Sequence, residues 1–306
     1  MNDLKQIALE IREIIRNYQV NNQLTFIEDT HTYYIMGPDG KITSDMPSVS
    51  TVLKSFYHVF DSRKTKSFQN CEGDTQKEKE LLTEWSLKGD YATNMGSRVH
   101  FLLEKELVSQ YGSYKDVRLP IFNCDNEQIA KGDAMIKAGK DFIDLMHERG
   151  AILLDTEMVL GNVDLGYFGQ PDKVWLIISK TGEIGFIITD WKTNQKKNFE
   201  VQPWTKIMLP PFEYIWDTSL GHYYVQIPLY AKLLLKMLEG TKYDGIKFLG
   251  GIVVLLRDDE IYEEYRIPQD IIKTVMHMDV KSILEERKDL IKQHKFLEKR
   301  DSDFIN

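Results

Sequence analysis

The chain has 306 residues, 42% hydrophobic and 28% charged, enough to bury a sizeable core as one large domain or two. A formal net charge of −8 is awkward for a protein that binds nucleic acid by broad electrostatics and leaves room for local basic patches. Cys71 and Cys124 form no CxxC pair, so nothing supports a disulfide framework or a cysteine-held zinc or iron–sulfur site, and a reducing, cytoplasmic setting is the default.

The N-terminal MNDLKQIALEIREIIRNYQ carries Asp3, Glu10 and Glu13, unlike a signal or transit peptide. It places Leu4, Ile7, Ile11, Ile14 and Ile15 on one helical stripe. No run approaches the roughly 20 apolar residues of a membrane span, and no membrane partner is expected. QLTFIE and THTYYIMG read as a hairpin, GPDG at 37–40 as a tight turn, and SVSTVLKSF as a helix capped by Ser48 or Ser50. A charged helix is predicted from about Gln76 to Leu87, broken by Gly89-Asp90. The next starts at Thr93 or Asn94 and buries Val99, Leu102, Leu103 and Leu107, with His100 and Glu104 on one edge of that stripe. A lone histidine there is more often structural than catalytic. Residues 126–149 form another amphipathic helix, ended by Arg149-Gly150.

From Glu157 to Lys192 the chain reads as three β-type runs: TEMVLG, YFGQPDKVWLIIS and GEIGFIITDWKTN. Their interiors are apolar, yet Glu157, Asp172, Asp190 and Lys192 interrupt them, and a buried carboxylate is costly unless it is paired or holds a cation. In antiparallel strands Asp172 and Asp190 can come opposite one another across a hairpin, and Asp190 and Lys192 share a face. Two readings stand. The charges pair with one another at strand ends, or the carboxylates converge on Mg²⁺ or Mn²⁺ beside an amine that orients water or offsets charge on a phosphate.

Residues 196–220 hold Pro203, Pro210 and Pro211 among Trp204, Phe212, Tyr214 and Trp216, a loop that folds its rings inward or stacks them on bases. The basic groups Arg63-Lys64-Thr65-Lys66 and Lys192, Lys196, Lys197 read, taken alone, as solvated surface. In the long helix GHYYVQIPLYAKLLLKMLEG, Tyr223, Gln226 and Tyr230 follow one another at a turn's spacing, and Pro228 bends the first turns. KFLGGIVVLL and IYEEYRI read as paired strands, and 268–299 as a terminal helix. The order of elements predicts an α/β fold with a four- or five-stranded mixed sheet flanked by helices.

Pro171-Asp172, then Asp190-Trp191-Lys192-Thr193, then Gln226 and Tyr230 resemble the PD-(D/E)XK nuclease superfamily in its RecB-type branch. Gly96-Ser97-Arg98-Val99-His100 and Glu157 strengthen the resemblance. HTYYI and PSVSTVL make the chain similar to mitochondrial genome maintenance exonucleases and their phage-encoded relatives. The four cysteines of iron–sulfur members are absent, so no cluster is expected.

The resemblance implies a restriction-endonuclease-like core (αβββαβ) at 93–266, a helical and hairpin extension at 1–92 capping the site, and a C-terminal helix at 267–306 packed on the core. It implies a Mg²⁺- or Mn²⁺-dependent DNA exonuclease with a preference for single strands or free ends, acting in replication, recombination or repair. Asp172, Asp190, the Trp191 carbonyl, Glu157 and His100 would hold metal, and Lys192 would position the attacking water. Gln226 and Tyr230 would support that lysine or contact the DNA backbone, while Ser97, Arg98, Lys196 and Lys197 would touch DNA. The same core also suits a structure-specific or defence endonuclease, or a DNA-binding protein without activity. No GxxxxGK[ST] loop supports a small-molecule phosphohydrolase.

Overall fold

A computed structural model describes residues 2–27, 32–37, 39–111 and 122–305. The amphipathic helix α1 (Asn2–Asn21) buries Leu4, Ala8, Ile11 and Ile15. Beside that stripe Arg12 donates to the Leu153 and Leu154 carbonyls, and Gln19 to the Val159 carbonyl at 2.6 Å. Helix α1 is therefore part of the main core. Strands β1 (Leu24–Ile27), β2 (Thr32–Met36) and β3 (Ile42–Met46) make a three-stranded antiparallel sheet. The loop expected between the first two, and Pro38 of the expected turn, lie outside the described residues. Ser48 caps α2 (Val49–Leu53), as its sequence predicts.

After the short α3 (Lys66–Gln69), helix α4 runs unbroken from Thr75 to Tyr111. The expected break at Gly89-Asp90 does not occur. One glycine costs a helix only about 1 kcal/mol relative to alanine, and the good helix formers on both sides carry the turn through. The division expected at 92/93 consequently falls inside one helix. A capping box between Asp125 and Gln128 starts α5 (Asn126–Glu148), and Arg149 ends it before Gly150 at φ 76°.

The chain then forms β4 (Ile152–Thr156), β5 (Leu160–Asn162), β6 (Tyr167–Gly169), β7 (Lys173–Ile178) and β8 (Ile184–Lys192). Helix α6 (Ser219–Leu238) leads to β9 (Lys247–Leu256) and β10 (Tyr262–Arg266). The predicted mixed sheet is present, five strands in the order β10-β9-β8-β7-β4, with β8 and β9 parallel and the other pairs antiparallel. Two of the three predicted β-runs are split. Glu157, at φ 46°, turns the chain out of β4, and Pro171 offers no N–H to continue a ladder, so β5 and β6 pair separately as a small hairpin. In place of one terminal helix there are α7 (Gln269–His277), α8 (Val280–Glu286) and α9 (Lys288–Ile305), because Asp279 caps a new start.

Alternation along the central strands gives the sheet two buried faces. Val174, Leu176, Phe186, Ile188, Val253 and Leu255 pack against α1 and α6. Trp175, Trp191, Val254 and Leu256 pack against α4 and α5. Among the described residues no helix is long and apolar enough to cross a membrane.

The unbroken α4 makes a direct prediction. Gly89 has an ordinary helical backbone and open space where a Cβ would sit, so Gly89→Ala should stabilise the protein by about 0.5–1 kcal/mol in urea denaturation. A loss of stability would restore the break.

Candidate metal centre

The site forms where β7 and β8 meet the end of β4. Lys173 pairs with Thr189, so one further step of the register sets Asp172 opposite Asp190. Asp172 Oδ2 accepts the Trp191 backbone N–H at 2.8 Å, which fixes the carboxylate against the partner strand. Glu157 follows β4 in the left-handed backbone region, a conformation that costs a side-chain-bearing residue about 1 kcal/mol or more. Its N–H donates to the Asp172 carbonyl at 3.1 Å, and its own carbonyl accepts from Gln170 Nε2 at 3.2 Å. Gln170 Oε1 in turn accepts from the Tyr33 hydroxyl at 3.3 Å, which ties the N-terminal sheet to the site.

Helix α4 contributes His100. It comes close because residue 96 is glycine: a Cβ there would lie 2.9 Å from Thr193 Oγ1. His100 Nδ1 lies 3.4 Å from Asp172 Oδ2. One ligand atom from each of His100, Glu157 and Asp172 lies within 4.8 Å of the others, the group of potential ligands found among the described residues. Opposite ligands of a Mg²⁺ octahedron stand about 4.2 Å apart, so a small adjustment closes this trio on one ion. Two carboxylates and an imidazole suit Mg²⁺ or Mn²⁺. Burial pushes the His100 imidazole down to about 4, against the pull of Asp172, so it is neutral at pH 7 and has a lone pair to offer.

Asp190 stands outside the trio, on the face of the sheet that meets α6. Its Oδ2 lies 2.6 Å from Lys192 Nζ, an ion pair without aligned hydrogen-bond geometry, and that oxygen is buried. Burial pushes Asp190 up to about 6 although Lys192 opposes it. Burial also disfavours charge on Lys192, but Asp190, Asp172 and Tyr223 outweigh it and raise the amine, which stays protonated. On Asp172 burial is again the largest influence. The surrounding cations and the Trp191 N–H overcome it and hold the carboxyl below its usual value. With His100 neutral, Lys173 and Lys192 are the cations that act at pH 7.

Tyr223 supports Lys192, its ring centroid 4.3 Å from Nζ, while its hydroxyl donates to Asn194 Oδ1 at 3.2 Å. Gln226 and Tyr230, expected at the lysine, bond to each other: Gln226 Nε2 donates to the Tyr230 hydroxyl at 2.8 Å. Burial, then Asp190, raises the Tyr230 phenol well above its usual value, so it stays neutral beneath the site. Ser97 is exposed, while Arg98 turns toward α5 and pairs with Asp133 at 2.7 Å. Lys196 pairs with Glu263 at 3.0 Å, and Lys197 is exposed.

Lys173, Tyr223, Tyr33 and Gln170 were not singled out as site residues. Lys173 is the most legible of them, a cation directly after Asp172 in an apolar strand. Its side chain is 1% exposed, with Nζ 4.0 Å from Asp172 Oδ2 and 4.9 Å from the Trp191 ring centroid. No family model matches the chain, and no curated protein matches it.

The close approach at Gly96 is testable. Gly96→Ala should cost about 1–3 kcal/mol in thermal or urea unfolding, and Gly96→Ala with Thr193→Ala should recover most of it. Equal losses in both variants would remove Thr193 as the constraint.

Proposed function

We propose that the chain is a Mg²⁺- or Mn²⁺-dependent nuclease of the PD-(D/E)XK type, an exonuclease that hydrolyses DNA phosphodiester bonds with a preference for single strands. One observation carries this reading: Asp172 faces Asp190 across the β7–β8 pair, with Glu157 and His100 beside one and Lys192 against the other. The order α5-β4-β7-β8-α6-β9 supports a restriction-endonuclease-like core around that pair.

Asp172, Glu157 and His100 would hold the ion, with Asp190 completing the set when Lys192 shifts toward substrate. A bound cation supplies Lewis-acid polarisation of the phosphodiester and offsets the charge that builds on it. Lys192 is protonated, so it does not serve as a general base. It donates hydrogen bonds to the attacking water and to a phosphate oxygen, which aligns the two in a site largely closed to solvent. Tyr223 and Asn194 restrict where that amine can go. Asp172 stays ionised and keeps the attractive end of the site negative.

The test is digestion of end-labelled single-stranded and duplex DNA with Mg²⁺, beside Asp190→Asn and Lys192→Met, which preserve side-chain volume. Each variant should lose about 10²–10⁴-fold in rate while unfolding cooperatively. Linear single strands should be cut faster than closed circles. Wild-type rates in Asp190→Asn would end the proposal, as would no cleavage by the wild type with either ion.

The pH dependence follows from Asp190. Its carboxyl takes up a proton as pH falls through about 6, and the neutral form neither holds Lys192 nor attracts a cation. The rate should therefore drop about tenfold per pH unit below about 6, and more Mg²⁺ should move that limb to lower pH because ion and proton compete. A limb that ignores Mg²⁺ would separate Asp190 from the cation.

A further inference from the structure

Lys173 is the most anomalous residue of the central sheet. It opens β7 on the face where Trp175 and Trp191 pack against α4 and α5, a place where alternation calls for an apolar side chain. The side chain is enclosed, and its Nζ has no hydrogen-bond partner. Thr189 stands opposite it on β8, but that hydroxyl accepts the Trp175 indole N–H at 2.9 Å. Asp172 Oδ2 at 4.0 Å and the Trp191 ring centroid at 4.9 Å compensate the ammonium from a distance. Lys173 Nζ, Asp190 Oδ2 and Trp191 Nε1 are three of the five buried side-chain polar atoms without a hydrogen bond among the described residues, so unmet polar demand concentrates on this one rung. Enclosing an ammonium on such terms is costly, and a methionine would fill the same space without that cost. Folding alone does not account for the charge.

Asp172 Oδ2 is where this lysine and the metal centre meet. That oxygen accepts the Trp191 backbone N–H at 2.8 Å and lies 3.4 Å from His100 Nδ1. Lys192 does not duplicate Lys173, because it lies 2.6 Å from Asp190 Oδ2 on the α6 face of the sheet. Asp172 therefore has its own cation, sealed into the fold and unable to turn to solvent. An ion held by His100, Glu157 and Asp172 would share that carboxylate with the lysine, and two positive charges on one carboxylate oppose each other.

We infer that Lys173 is a positioning residue of the metal centre: a fixed internal cation that holds Asp172 in place while no ion is bound and weakens the ion's hold once one binds. The inference rests on the metal-binding part of the proposed function. It assigns to Lys173 an effect on ion affinity that a side chain serving only to fill space would not have.

Mn²⁺ binding is measured by calorimetric titration, with the electron paramagnetic resonance signal of free Mn²⁺ as a second readout, on the full chain and on Lys173→Met, which keeps the side-chain length. The variant should bind at least about tenfold more tightly than the wild type. In EDTA it should unfold at lower urea than the wild type. Lys173→Met with Asp172→Asn should recover part of that loss, because the carboxylate left without its cation is then gone. Saturating Mn²⁺ should raise the urea midpoint of Lys173→Met more than that of the wild type. Equal or weaker Mn²⁺ binding in Lys173→Met overturns the inference, and so do additive losses in the double variant. If Lys173→Met does not fold in EDTA, the ion decides: cooperative folding as Mn²⁺ is added supports the inference, and a chain that stays unfolded in excess Mn²⁺ overturns it. A wild type that binds Mn²⁺ more weakly than the variant but cuts no DNA loses the nuclease reading alone. Mn²⁺ binding to neither protein ends both.

Discussion

Two carboxylates on one rung of a buried antiparallel pair are the constraint around which this fold is arranged. Unit charges about 4 Å apart interact by roughly 4 kcal/mol at the effective dielectric of a protein interior, so Asp172 and Asp190 cannot both stay ionised without cations close by. The protein provides one from each face of the sheet. Lys192 approaches Asp190 from the α6 face, and Lys173 lies beside Asp172 on the α4–α5 face, over the Trp191 ring. The environments nevertheless differ. Asp172 is held low against its burial by His100, Lys173 and Lys192 and last by the Trp191 N–H, whereas burial pushes Asp190 up.

The surrounding elements serve this rung at some cost to local regularity. Pro171 ends the ladder so that Asp172 leaves the strand, and Glu157 accepts a left-handed backbone at the end of β4. Gly96 gives up a side chain so that α4 can rest on Thr193 and bring His100 to Asp172. Tyr33 reaches from the N-terminal sheet through Gln170 to the Glu157 carbonyl. Each departure trades a little backbone or packing stability for the position of one of these side chains.

Much of the sheet was legible because its strands alternate, and the charges that broke the apolar runs marked Glu157, Asp172, Asp190 and Lys192 directly. A hairpin reading allowed 172 and 190 to face one another, period two put Asp190 and Lys192 on one face, and the register itself is set by the β7–β8 turn. Other features were hidden for identifiable reasons. A left-handed φ at Glu157 has no compositional signal, so TEMVLG read as one strand. Gly89 looked like a breaker because propensity ignores the length of good helix on either side. Lys173 was absorbed into a strand pattern although its charge made it as anomalous as its neighbour. Tyr223 and Arg98 show the limit of spacing arguments: helical periodicity placed Tyr223, Gln226 and Tyr230 alike, and only packing shows Tyr223 on the lysine and Arg98 on Asp133.

The most direct measurement is Mn²⁺ binding to the whole protein, followed by calorimetric titration and by the melting temperature at rising ion concentration. Saturable binding is expected in the wild type, with stabilisation approaching about 2.7 kcal/mol at a hundred times Kd, and its loss in Asp172→Asn. Binding that survives unchanged in Asp172→Asn, or no binding at all, would contradict a divalent-ion site between these strands.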